Sequence, residues 1–134
     1  MNITADTNLL VRVAVGDDPI QAALAAVALR QAEVIAVTVP ALCEFVWVLS
    51  RWYKCPARDI AAAIRRLIDS APVRVDRPAV EAGLALLETG GDFADGVIAF
   101  EGRRLGGQVF ASFDADAVKR IQAGGGEAVL LSGA

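Results

Sequence analysis

The stretch Ile3-Thr4-Ala5-Asp6-Thr7-Asn8-Leu9-Leu10 decides the architecture of the chain. Its first three residues read as a short buried strand, Ile3 to Ala5, and an acid follows at once. Thr7 or Asn8 then caps a helix to about Val15, since a side-chain oxygen there can accept from the unpaired amides of a first turn.

The alternation continues along the chain. Asp17 or Asp18 before Pro19 opens a helix to about Gln31, and Val34 to Val37 is a second strand. Thr38 caps a helix with Pro40 in its first turn, where Leu42, Phe45, Val46 and Leu49 follow helical spacing. Cys55 and Pro56 break the chain before a helix to about Ser70, and Val73 to Val75 is a third strand. Asp76, Arg77 and Pro78 start a helix that Gly90 and Gly91 stop. Phe93 to Leu105 is helical and Val109 to Phe113 is a fourth strand. Asp114 caps a short helix to Ile121, and Ala128 to Leu131 is the last strand. Strands separated by helices pair in parallel through crossovers. The expected fold is α/β, a three-layer α/β/α sandwich on a central, mainly parallel sheet, as one domain over residues 1–134.

Composition narrows the chemistry. Of 134 residues 55% are hydrophobic, and the mean hydropathy of +0.48 fits helices covering both faces of a sheet, with some surface left for a partner. The longest apolar tract, Val34 to Ser50, is interrupted by Pro40 and Glu44, so no membrane span is expected. The N-terminus lacks a cationic region followed by an apolar stretch, and two cysteines, Cys43 and Cys55, are too few for a disulfide framework; a cytoplasmic protein is expected. With no histidine in the chain, an imidazole relay and a histidine zinc site are both excluded. Catalysis must rest on carboxylates, hydroxyls, cations or a metal.

Four acids carry the functional reading. Asp6, Glu44, Asp95 and Asp114 each lie among apolar neighbours, so the local sequence would bury them. Unpaired carboxylates do not bury without neutralising, whereas several facing ones can share a divalent cation. In parallel α/β sheets ligands bind beyond the carboxyl ends of the strands. Asp6 and Asp114 directly follow strands, while Glu44 and Asp95 lie about one turn into helices expected to begin at the same rim. Asp6 and Asp114 have a plain alternative as helix caps, and Glu44 is harder to dismiss. Asp92 and Asp95 share a helix face where one acid could simply favour the helix N-terminus, and here Asp92 reads as a cap and Asp95 as a site residue. Oxygen ligands suit Mg²⁺ or Mn²⁺, which can orient a water and neutralise charge in phosphodiester hydrolysis. Thr7, Asn8 and Ser112 stand beside the acids as orienting or capping residues.

These residues carry a resemblance. Ala5, Asp6, Thr7 and Asn8, then Glu44 within Pro40 to Leu49, then Gly91, Asp92, Phe93, Ala94, Asp95 and Ile98, then Ser112, Phe113, Asp114 and Asp116 resemble the ordered motifs of PIN-domain ribonucleases, most closely the VapC toxins of toxin–antitoxin pairs. The resemblance spans nearly the whole chain. It implies a Mg²⁺-dependent endoribonuclease cleaving single-stranded or loop RNA, with Asp6, Glu44, Asp95 and Asp114 as its acidic quartet and Asp6 and Asp95 as metal ligands. It further implies a homodimer, inhibition by a cognate VapB-type antitoxin, and a role for Asp116 beside the metal. Gly96 stands where that family commonly has a helix former such as Ala.

The net charge of −3 gives no global attraction to phosphate, so basic residues must act locally. Arg51, Lys54 and Arg58, with Trp52 and Tyr53 interleaved, are the best candidates for RNA contact. The alternative, a solvated helix end with two packed aromatics, is slightly preferred. Arg65 with Arg66, and Arg103 with Arg104, read as surface charges. Two rival functions remain. An aspartyl-phosphate phosphotransfer domain would want a second acid where Asn8 stands, or a lysine after a strand rather than Lys119 inside a helix. An inactive interaction module would have little reason to keep four acids.

Overall fold

Every strand pair is parallel, which fixes where the strand ends lie. The structure is a computed structural model and describes residues 1–132. The elements in order are β1 (Asn2–Thr4), α1 (Thr7–Val15), α2 (Pro19–Gln31), β2 (Val34–Ala36), α3 (Val39–Arg51), α4 (Ala57–Ile68), β3 (Val73–Arg74), α5 (Arg77–Glu88), α6 (Phe93–Arg104), β4 (Val109–Ser112), α7 (Ala115–Ala123) and β5 (Glu127–Leu130). By its contacts the chain gathers into two compact units, Met1–Arg77 and the segment from Pro78 onward.

In the first unit β1, β2 and β3 form a three-stranded sheet in that order. Ile3 lies opposite Ile35, which in turn lies opposite Val73. The ladder extends just past the strands, where the Ala5 amide donates to the Ala36 carbonyl at 3.0 Å. Its core draws on Leu10 and Val11 of α1, Leu42, Phe45 and Leu49 of α3, and Ile60 and Ile64 of α4, all buried. α3 therefore turns one face inward, as the helical spacing of its apolar residues requires.

In the second unit β4 and β5 pair in parallel, with Phe110 opposite Ala128 and Ser112 opposite Leu130. Phe93, Val80, Leu84 and Val97 are fully buried or nearly so. A separate small cluster of Leu86, Ala99 and Ile121 packs against Phe110 and Ala128.

All expected helices and strands are present, with ends displaced by one or two residues. β1 stops at Thr4 instead of Ala5, because its partner β2 ends at Ala36. Asp6 caps α1 in place of Thr7 or Asn8, its Oδ1 accepting from the Leu9 amide at 2.9 Å. Among the described residues no helix is long and apolar enough to cross a membrane.

Gly96 has a packing role. A Cβ placed there would lie 2.5 Å from the Ala82 carbonyl oxygen and 3.0 Å from Gly83 Cα, so α6 meets the backbone of α5 at this residue. The clash is with backbone, which cannot swing aside. Gly96→Ala should therefore destabilise the protein by about 1–3 kcal/mol despite its gain in helix propensity. Urea unfolding checks this, and an equally stable variant would contradict the close approach.

Candidate active site

Two groups of acids are assembled, one in each unit. In the first, Asp6 follows β1 and caps α1, while Glu44 lies in α3 after the Thr38 cap that follows β2. Because β1 and β2 are parallel, the starts of α1 and α3 are neighbours. Thr7 makes the link directly: its hydroxyl donates to Glu44 Oε2 at 3.2 Å and lies 3.5 Å from the Ala41 carbonyl oxygen. Asp6 and Glu44 thus stand at one rim, joined through the residue between them. Asn8 instead lines a shallow groove with Arg12 and Leu24.

In the second unit Asp92 caps α6, its Oδ1 accepting from the Ala94 amide at 3.2 Å. Asp95 lies in the first turn of the same helix. Asp114 follows β4 and caps α7, its Oδ1 accepting from the amides of Asp116 at 3.0 Å and Ala117 at 3.2 Å. The Ser112 hydroxyl oxygen accepts from the Asp114 amide at 3.0 Å, so Ser112 orients the turn that presents the acid. Asp116 pairs with Arg120 one turn on, at 2.8 Å.

The expectation that all four acids are buried is corrected. Asp6, Glu44 and Asp114 are exposed and Asp95 is half-buried. For Glu44 the apolar neighbours Leu42, Phe45, Val46 and Leu49 form the buried face of α3 and the acid lies off it, whereas Asp6 and Asp114 sit at exposed helix caps just past the strands. Asp95 is electrostatically strained: burial pushes its carboxyl above the usual range, and the charges of Asp92 and then Asp114 push it further. Three acids therefore share one field, partly offset by the positive ends of α6 and α7.

Each capping acid uses Oδ1 on a helix amide, and among the described residues its second oxygen makes no hydrogen bond. The result is a set of oriented, hard oxygen donors of the type that divalent magnesium prefers. Among the described residues no three acids or cysteines are gathered tightly enough to hold an ion alone. Mg²⁺ ordinarily uses one or two carboxylates and completes its shell with waters and phosphate, so the donors fit that ion. A cavity of about 840 Å³ elsewhere in the second unit, lined by Thr89, Arg103, Arg120 and the turn at residues 124–126, includes none of these acids.

The PIN domain model matches residues 3–123. The chain belongs to the PIN domain family. No curated protein gives a significant match. Membership carries the three-layer α/β/α fold with a mainly parallel sheet. PIN domains are a nuclease-type family and generally use divalent metals.

The site also contains what hydrophobic spacing conceals. Trp47 stands three residues beyond Glu44 on the outward face of α3 and is 53% exposed. An indole in an apolar helix passes as one more core residue, although its position falls off the buried stripe of Leu42, Phe45, Val46 and Leu49. Trp52, expected to pack, is 72% exposed, whereas Tyr53 is half-buried with its hydroxyl bonded to Asp17.

The strain on Asp95 has a measurable sign. Its folded carboxyl titrates above the unfolded one, so the penalty is fully present once Asp95 is ionised in the fold and is absent below the unfolded value near pH 4. Asp95→Asn should raise Tm at pH 7 in chelator-treated buffer, and the gain should fade as the pH falls to about 4. Calorimetry across that range tests it; a variant no more stable than wild type at pH 7 refutes the strain.

Proposed function

We propose that the protein is a metal-dependent endoribonuclease acting on single-stranded or loop RNA, with Asp6, Glu44, Asp95 and Asp114 as its acids. The observation that carries this reading is the half-buried Asp95, held between burial and two further carboxylates, a situation that a divalent cation relieves. Family membership supports the reaction class. The reading takes the four acids as one set because their order resembles the motif order of that family.

The roles of the residues follow from their bonds. Asp6 and Asp114 are fixed by the amides they cap, and each offers a free oxygen. Glu44 is oriented by the Thr7 hydroxyl. A Mg²⁺ or Mn²⁺ ion held by Asp6 and Asp95 would lower the pKa of a bound water and offset charge building on the scissile phosphate. The ion pair with Arg120 gives Asp116 a structural role.

As in the VapC toxins that the motifs resemble, the biological role would be that of a toxin restrained by a VapB-type antitoxin, acting as a homodimer in the cytoplasm. Supporting this, Ile20, Leu24 and Val27 of α2 are exposed at positions that share a helix face, with Ile20 at 75%. Such a stripe is unusual without a protein partner.

Asp6→Asn and Asp95→Asn should each lower Mg²⁺-dependent cleavage of a single-stranded RNA by at least about 100-fold while leaving circular dichroism unchanged. Chelation should abolish cleavage in the wild type. Full activity of either variant, or activity surviving chelation, would remove the metal-site assignment.

A further inference from the structure

The outward face of α3 continues past the acid. Glu44, Trp47 and Arg51 are spaced i, i+3 and i+7, so they line one side of the helix, and all three are exposed. Trp52 and Lys54 follow at the C-terminal end of this helix and in the turn beyond it, and Arg58 lies at the start of α4. Among the described residues Arg51, Lys54 and Arg58 take part in no ion pair or side-chain hydrogen bond, so their charge is uncommitted.

The turn itself is held rigid. The Tyr53 hydroxyl donates to Asp17 Oδ2 at 2.8 Å and accepts from Arg12 Nη1 at 3.4 Å, while Arg12 Nη1 lies 3.2 Å from Asp17 Oδ1 and its Nε donates to Gln21 at 2.6 Å. These bonds tie the end of α3 to α1 and α2. Lys54 adopts φ +54, a left-handed conformation that a glycine would take without strain. The fold therefore presents a positive charge at a position that glycine would occupy without strain, beside an exposed indole.

We propose that this face of α3, from Glu44 to the turn at Lys54, is the track for a single-stranded RNA, with the indoles of Trp47 and Trp52 stacking on bases and Arg51, Lys54 and Arg58 meeting phosphates. The assignment rests on the nuclease reading for its direction, since the track ends at a proposed catalytic acid. At 1.5 Å per residue Trp52 lies about 12 Å along the helix from Glu44, so a strand held at the turn reaches the acid without a bend in its support. Charge selects nucleic acid over a second copy of the chain: a two-fold contact over this face would oppose its cations to one another. Aromatic platforms flanked by cations are the general means of holding a single strand.

Trp47 and Trp52 are the only tryptophans of the chain, so intrinsic fluorescence reads the track and nothing else. The full-length protein in EDTA, where cleavage is off, is titrated with a short labelled oligouridylate, following tryptophan quenching and label anisotropy. Wild type should bind with quenching. Trp47→Ala and Trp52→Ala should each weaken binding by about tenfold, with the Phe variants largely restoring it. Arg51→Gln and Lys54→Gln should each reduce the slope of log affinity against log salt by about 0.7. Unchanged affinity in both Ala variants overturns the track, as does a loss of oligomer mass in them with RNA binding intact, which would assign the face to a second copy. If wild type cleaves RNA in Mg²⁺ but the Ala variants bind normally, the track fails and the nuclease reading stands. If it binds with quenching and never cleaves, the reverse holds.

Discussion

Parallel pairing of β1 with β2 is the constraint on which the first acid pair depends. Asn2, Ile3 and Thr4 lie opposite Val34, Ile35 and Ala36, so both strands finish at the same edge and both following helices must begin there. A helix start is a cluster of unpaired amides, and a residue with a short side-chain oxygen is the natural occupant of its cap. Asp6 and Thr38 fill those places. Topology thus places a carboxylate at the rim for structural reasons, and that same placement makes it available for chemistry. Thr7 completes the coupling, because its backbone belongs to α1 and its hydroxyl reaches α3.

The second unit shows the cost of the same arrangement. Asp92 and Asp114 are stabilised by the amides they cap, but their charges fall on Asp95, which has already lost part of its hydration. Like charges close to a half-buried acid favour its protonated form, and only an added cation reverses that preference. Capping therefore orients the flanking acids and strains the one between. Gly96 follows Asp95 directly and lets α6 approach the α5 backbone, so the packing that half-buries Asp95 depends on the absence of a neighbouring Cβ. The residue that looks weakest for helix formation is thus a condition of the local electrostatics.

The element order and the acids were legible in the sequence because both follow from strong local signals: hydrophobic period, caps, and proline and glycine punctuation. Strand ends were less so, since a three-residue strand ends where its partner does, as β1 does opposite Ala36. Burial of the acids was misread for a related reason. Apolar neighbours at adjacent positions say that a helix has a buried face, and they do not say that the acid lies on it. Trp47 was obscured by composition, which counts an indole as core wherever it stands, whereas Trp52 was legible as a candidate RNA contact although the preferred expectation had it packed; both are more than half exposed. The contact between Thr7 and Glu44, separated by 37 residues, leaves no local mark.

α3 divides stability and recognition between its two faces. Leu42, Phe45 and Leu49 secure it to the core, while Glu44, Trp47 and Arg51 contribute little to folding. The bonds that fix the turn beyond it are largely exposed, and exposed ion pairs of this kind contribute only about 0–1 kcal/mol. Their effect is on geometry. The Tyr53 hydroxyl bond, with Arg12 adding to it, holds the Asp17 carboxyl below its usual range, so the acid stays ionised and the clamp stays closed through neutral and mildly acidic pH. A side chain already ordered loses less entropy on meeting a ligand than one that must be immobilised. Clamping Tyr53 therefore restricts the backbone that carries Trp52 and Lys54 before any strand arrives, and the left-handed strain at Lys54 is borne by the fold in advance.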